Sequence, residues 1–170
     1  IFFVIDTSAS MRGKKIGELN TVMEELIPEI RKVGEADTDV KVAVLTFSTD
    51  VKWMYSAPVS IEDFEWSRLN ASGVTSMGAA FEELSARMSR NSFLSSPSLS
   101  FAPVIFLMTD GYPSDDYKKG LRELYSNSWY KFGLKAALGI GNEANDDMLA
   151  EFTGSKDTVV HAYTGSQLAQ

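Results

Sequence analysis

The chain has 170 residues, 44% hydrophobic and 23% charged, the composition of a soluble globular protein large enough for one full core. Its net charge of −7 argues against binding to nucleic-acid backbones, which requires clustered Lys and Arg, and no apolar run approaches the ~20 residues of a membrane helix. The absence of cysteine excludes disulfides and thiolate metal sites, and a single histidine, His161, argues against His-based catalysis or a multi-histidine metal site.

The first element is an apolar run, Ile1-Phe2-Phe3-Val4-Ile5, which predicts a parallel strand buried on both faces. It ends abruptly in Asp6-Thr7-Ser8-Ala9-Ser10, where ligands bind in open α/β sheets, just outside the carboxyl end of a strand. The chain opens inside this strand, so its termini read as trimmed, and a cytoplasmic location is the expectation. Ile16, Leu19, Val22, Met23, Leu26, Ile27, Ile30 and Val33 then recur at helical spacing, with a kink or break expected at Pro28. Val40 to Phe47 predicts a strand, and the short gap to Val51–Tyr55 predicts a hairpin whose second strand is an antiparallel edge.

Residues 56–74 lack periodicity. Met77, Ala80, Phe81, Leu84 and Met88 mark a second amphipathic helix. Residues 89–102 carry six serines and Pro97, which predicts an exposed, disorder-prone loop whose Phe93, Leu94, Leu99 and Phe101 pack back onto the domain. Val104–Met108 is another buried strand, ending in Thr109-Asp110-Gly111. Ser114 is the expected cap of a helix beginning at Asp115 and Asp116, whose charges suit its dipole. A strand at 134–140, a short helix over 145–153 and a strand at 158–162, carrying a structural His161, complete the chain. The order β-α-β-β-α-β-α-β-α-β predicts a single domain over residues 1–170: a three-layer, doubly wound, Rossmann-like α/β sheet, mostly parallel, with helices on both faces.

Asp6, Ser8 and Ser10 are hard oxygen donors, suited to Mg²⁺ or Mn²⁺. Alone they also fit a plain turn that caps a helix. Two strands end in a carboxylate, Asp6 and Asp110, and Gly73-Val74-Thr75-Ser76 brings a hydroxyl to the start of the second helix. Parallel topology puts the three loops on one sheet edge. The set resembles the von Willebrand factor A (VWA) domain, whose metal-ion-dependent adhesion site (MIDAS) uses Asp-x-Ser-x-Ser, a later Thr and an Asp. In this chain those positions are Asp6, Ser8, Ser10, Thr75 and Asp110. The resemblance covers the whole chain, and the phrase Phe-Phe-Val-Ile-Asp-Thr-Ser-Ala-Ser-Met is most similar to bacterial VWA proteins of the tellurium-resistance type. The family usually has Gly where this chain has Ala9, which narrows the freedom of the turn.

The resemblance implies a metal site in which the serines bind directly, while Thr75 and Asp110 exchange between direct and water-mediated contact. Asp6 would accept hydrogen bonds from serine hydroxyls or bound water and orient the ligands. It implies a non-enzymatic module whose cation captures an Asp or Glu of a partner protein, in bacterial stress or tellurium-resistance complexes, with neither nucleic-acid binding nor membrane insertion. Tyr112, Pro113 and Tyr117 could form the aromatic part of that surface, and Asp115 and Asp116 could rim it. The alternative is a Mg²⁺-dependent phosphatase of haloacid-dehalogenase type, with Asp6 as nucleophile, Thr75 binding phosphate, and Asp115 and Asp116 as distal ligands. That family needs an Asp two residues after the nucleophile, where this chain has Ser8. A domain that keeps the fold without metal dependence is a third possibility, and five intact ligand positions count against it.

Overall fold

The structure is a computed structural model that describes residues 1–34, 38–95 and 101–162. Pro97 and Leu99 of the serine-rich segment lie outside the described residues. The first strand, β1 (Phe2–Asp6), is buried along its whole length because its alternating side chains enter two separate cores. Phe2 and Val4 join one, and Phe3 and Ile5 the other. An apolar run without polar alternation is what a central strand covered on both faces requires.

The remaining strands are β2 (Lys41–Phe47), β3 (Val51–Trp53), β4 (Val59–Ser60), β5 (Val104–Thr109), β6 (Leu134–Ile140) and β7 (Val159–Ala162). The sheet order is β3-β2-β1-β5-β6-β7, with parallel pairing from β2 through β7. The expected antiparallel edge is present but interrupted. β3 pairs with the carboxyl-terminal half of β2, from Leu45 with Trp53 to Phe47 with Val51, and β4 pairs with Lys41 and Val42 at its start. The chain leaves β1 toward β2 but leaves β5 toward β6. These opposite crossovers open a crevice at the carboxyl ends of the two central strands, where Asp6 and Thr109 stand.

Helix α1 (Lys14–Gly34) covers one face through Ile16, Leu19, Met23 and Ile27. It runs unbroken through Pro28, so no break occurs there. Pro28 is exposed, and the packing of Met23 and Ile27 holds the helix across the lost hydrogen bond. The aperiodic stretch before residue 74 is held against α1 by polar side chains. Asn20 donates to the Leu69 carbonyl at 2.9 Å and accepts the Leu69 N–H at 2.7 Å and the Trp66 indole N–H at 3.2 Å. Arg31 donates to the carbonyls of Ile61 and Phe64 at 2.9 and 2.6 Å. A partly buried irregular backbone needs such partners because it has no ladder of its own.

The opposite face carries α2 (Met77–Arg87), α3 (Tyr117–Ser126), α4 (Ser128–Phe132) and α5 (Asp146–Thr153), which share a core with Phe2, Val4, Leu45 and Leu107. The five-residue α4 is too short for a periodicity signal. Asn127 caps it by accepting from the Trp129 and Tyr130 N–H groups, and the fully buried Tyr130 donates its hydroxyl to the Phe152 carbonyl. Phe93 packs on Trp53 with ring centroids 4.7 Å apart, whereas Phe101 is exposed. His161 sits in β7 with Nε2 2.8 Å from an Asp146 carboxylate oxygen.

Helices α2 and α3 meet backbone to backbone. A Cβ at Gly120 would lie 2.3 Å from the Gly78 carbonyl oxygen and 2.9 Å from the Phe81 Cβ. Gly120→Ala is therefore expected to lower unfolding free energy by about 2–3 kcal/mol by forcing the helices apart. Urea denaturation checks this, and an unchanged midpoint would rule out the close approach.

Candidate metal centre

The site begins with a carboxylate that the strand register buries. Asp6 is fully buried at the end of β1, and β5 brings Thr109 alongside it. One Asp6 oxygen accepts the Ser8 N–H at 2.8 Å, and the other accepts the Thr109 hydroxyl at 2.5 Å. Burial pushes the Asp6 carboxyl above the usual carboxylate range. Hydrogen bonds from Thr109 and Ser8 pull it back, and the nearby Asp110 charge adds to the push. The Ser8 hydroxyl adds to the stabilisation of Asp6, and the Ser8 backbone N–H and the Thr109 hydroxyl are further donors beyond the expected serine hydroxyls or bound water.

The turn after Asp6 is a short 3-10 segment, Ala9–Met11. A 3-10 turn uses right-handed backbone open to any L residue, so Ala9 fits where the family has Gly. Within this turn the Ser8 and Ser10 hydroxyl oxygens are 3.0 Å apart, and Ser10 donates to an Asp110 oxygen at 2.7 Å. The Ala9 N–H donates to the Gly73 carbonyl at 3.0 Å, which fixes the first loop to the second. Gly73 has φ 82°, and a Cβ there would approach the Thr49 hydroxyl to 2.3 Å. Only glycine fits.

Thr75, 8% exposed, donates its N–H to the Ser114 hydroxyl at 3.1 Å and accepts the Ser114 N–H at 2.9 Å. Both bonds use the Thr75 backbone, so neither consumes its hydroxyl. Ser114 thus clamps two loops and does not cap the helix behind it. Asp116 caps α3, accepting the Lys119 N–H at 3.2 Å. Asp115 caps a different helix: its oxygens accept the Gly78 and Ala79 N–H groups of α2 at 2.9 and 3.0 Å. These contacts set the second and third loops in register.

The structure therefore links Asp6, Ser8, Ser10 and Asp110 in one polar network, with Thr75 on the adjoining loop. The donors are hydroxyl and carboxylate oxygens, the chemistry a hard divalent cation takes. Among the described residues no three His, Cys, Asp or Glu side chains converge on a common point. The nucleophilic reading of Asp6 fares poorly, since both of its oxygens are engaged and it has no solvent access. The carboxylates of Asp115 and Asp116 are likewise engaged in helix caps. Tyr112 is exposed beside the site, whereas Tyr117 packs on the core and donates to Glu151 at 3.0 Å.

Two residues escaped the sequence reading. Thr109 carried a weak signal, a hydroxyl closing an otherwise apolar run just before the acid. Lys15, whose ammonium ion-pairs with the second Asp110 oxygen, carried none, because the contact spans 95 residues.

Thr109→Val leaves a buried carboxylate oxygen without its donor and is expected to cost about 2 kcal/mol of stability, with Thr109→Ser recovering most of it. Asp115→Ala removes the α2 cap and is expected to cost about 1 kcal/mol. Chemical denaturation of the three variants measures both effects.

The comparisons with known proteins bear on the fold and the family. No curated protein matches the chain in sequence. Among solved structures, proximal thread matrix protein 1 from the mussel byssus, described with a zinc-occupied MIDAS motif, is 18% identical with a TM-score of 0.75, covering 99% of this chain and 44% of that one. A paralogue of ArnB from Sulfolobus acidocaldarius is 20% identical with a TM-score of 0.69, covering 99% of this chain and 42% of that one. BatB from Bacteroides thetaiotaomicron is 15% identical with a TM-score of 0.63, covering 96% and 89%. The chain spans less than half the length of the mussel and Sulfolobus proteins, and at these identities the likeness is one of fold. The family model of the von Willebrand factor type A domain matches residues 1–170, and the chain belongs to that family.

Proposed function

We propose that this chain is a non-enzymatic binding module in which Mg²⁺ or Mn²⁺ captures an Asp or Glu side chain of a partner protein. Domains of this family generally mediate metal-dependent protein interactions. The observation that carries the reading here is the polar chain from Ser8 through Ser10 to Asp110, backed by the buried Asp6.

Ser8 and Ser10 would hold the cation directly, with Thr75 and Asp110 completing its shell directly or through water. Asp6 holds the Ser8 backbone in place through its N–H, and Thr109 holds Asp6. When bound, the cation supplies an electrophilic position that a partner's carboxylate can fill. Three neutral hydroxyls dilute the negative charge around it and preserve that electrophilicity. The three loops are fixed by backbone and cap contacts, so the donor set is organised before any ligand arrives.

The resemblance of the opening strand and turn to tellurium-resistance-type proteins supports a role in bacterial stress complexes, with a cytoplasmic location. Among the described residues no helix is long and apolar enough to cross a membrane.

Calorimetric titration tests the cation site: Mg²⁺ and Mn²⁺ are expected to bind the wild-type chain and to bind Ser10→Ala and Asp110→Ala about tenfold or more weakly. A peptide bearing a single Glu is then expected to bind in Mg²⁺ and to be released by EDTA. Equal cation affinity in all three chains would refute the ligand set. Peptide binding indifferent to EDTA would refute capture through the metal.

A further inference from the structure

We propose that Lys15 is the resident counter-ion of the site: its ammonium neutralises Asp110 and lowers the affinity of the site for divalent cations. The inference rests on the reading of this site as a cation site and adds a residue to it.

The geometry is specific. Asp110 is fully buried and its two oxygens are divided between two partners, one taking the Ser10 hydroxyl and the other the Lys15 ammonium. Lys15 is the second residue of α1, just after Gly13, which turns the chain with φ 75°. Its stem crosses the sheet edge to the end of β6, where a Cβ at Gly141 would lie 3.5 Å from the Lys15 Cε. The lysine thus reaches Asp110 from the β6 side while Ser10 approaches from the β1 side.

The neighbouring cations are committed elsewhere. Arg12 donates to the Ala71 carbonyl, and Lys14 pairs with Glu18. A buried carboxylate without a counter-charge is strongly unfavourable, and Asp6 adds a second one nearby. Lys15 supplies a counter-charge to this buried pair of acids. The same charge repels an arriving divalent ion and competes for Asp110. It also leaves the loaded site more positive than its hydroxyl and carboxylate ligands alone would, which favours an acidic partner.

The test compares wild type, Lys15→Met and Lys15→Arg. Methionine keeps the apolar stem and removes the charge; arginine keeps the charge. Titration of Mg²⁺ and Mn²⁺ is expected to show roughly tenfold tighter binding to Lys15→Met and near wild-type binding to Lys15→Arg, because a unit positive charge a few ångströms from the ion has been removed. In EDTA, Lys15→Met should melt below wild type, and saturating Mg²⁺ should raise its melting temperature more than that of wild type. The EDTA deficit should vanish when Asp110→Asn is added, since no buried charge then needs a partner.

Wild-type binding of the cations with equal or weaker binding by Lys15→Met would overturn the counter-ion role while the cation site stands. Failure of both chains to take up either cation would overturn the site reading and this inference together. A deficit in EDTA that persists in the Asp110→Asn background would reduce Lys15 to a packing residue and overturn its electrostatic role.

Discussion

Two carboxylates end the two central strands of a parallel sheet, and neither has access to water. That burial is the constraint from which the upper edge of the domain follows. Each oxygen of each carboxylate must find a partner, because an unsatisfied buried charge costs several kcal/mol. Asp6 is met by a backbone N–H and Thr109, and Asp110 by Ser10 and Lys15. The partners come from the first loop, β5 and the start of α1, so satisfying two acids draws separate parts of the chain into one cluster. The arrangement that solves a folding problem also concentrates hard oxygen donors where sheet topology leaves a crevice.

Rigidity at this edge has a second source, in contacts that cross between loops and helices. Asp115 leaves its own helix to Asp116 and caps α2 instead, while Ser114 bonds both backbone groups of Thr75. The direct approach of Gly78 and Gly120 brings α2 and α3 close enough for that exchange. On the other side, Gly73 places its carbonyl against Ala9 in a conformation closed to other residues. Helix packing thereby sets the spacing of the loops, and the loops set the spacing of the oxygens. The two faces contribute unequally: four helices share one core, whereas α1 and an irregular segment held by Asn20 and Arg31 cover the other.

Much of the fold was legible in the linear pattern. Continuous apolar runs ending in Asp marked the central strands, and three- and four-residue spacing marked α1 and α2 almost to their observed limits. The errors have local causes. Of the kink or break expected at Pro28, the break does not occur: Pro28 faces solvent and the packed face carries α1 past it. Ser114 was assigned as a cap from its position before two acids, but its neighbours in space are the atoms of Thr75. Helix α4 and strand β4 are too short to generate any period.

The sequence by itself determined the fold class, the order of the strands' connections and the polar residues that follow the carboxyl ends of the central strands. Those depend on periodicity and on which residues end the apolar runs, properties a chain carries before it folds. Only the tertiary structure decided who partners whom: that Thr109 secures Asp6, that Asp115 serves a foreign helix, and that Lys15 reaches Asp110. Such pairings join residues far apart in the chain. They are selected by the need to satisfy buried charge in a particular packed geometry, which no local pattern encodes.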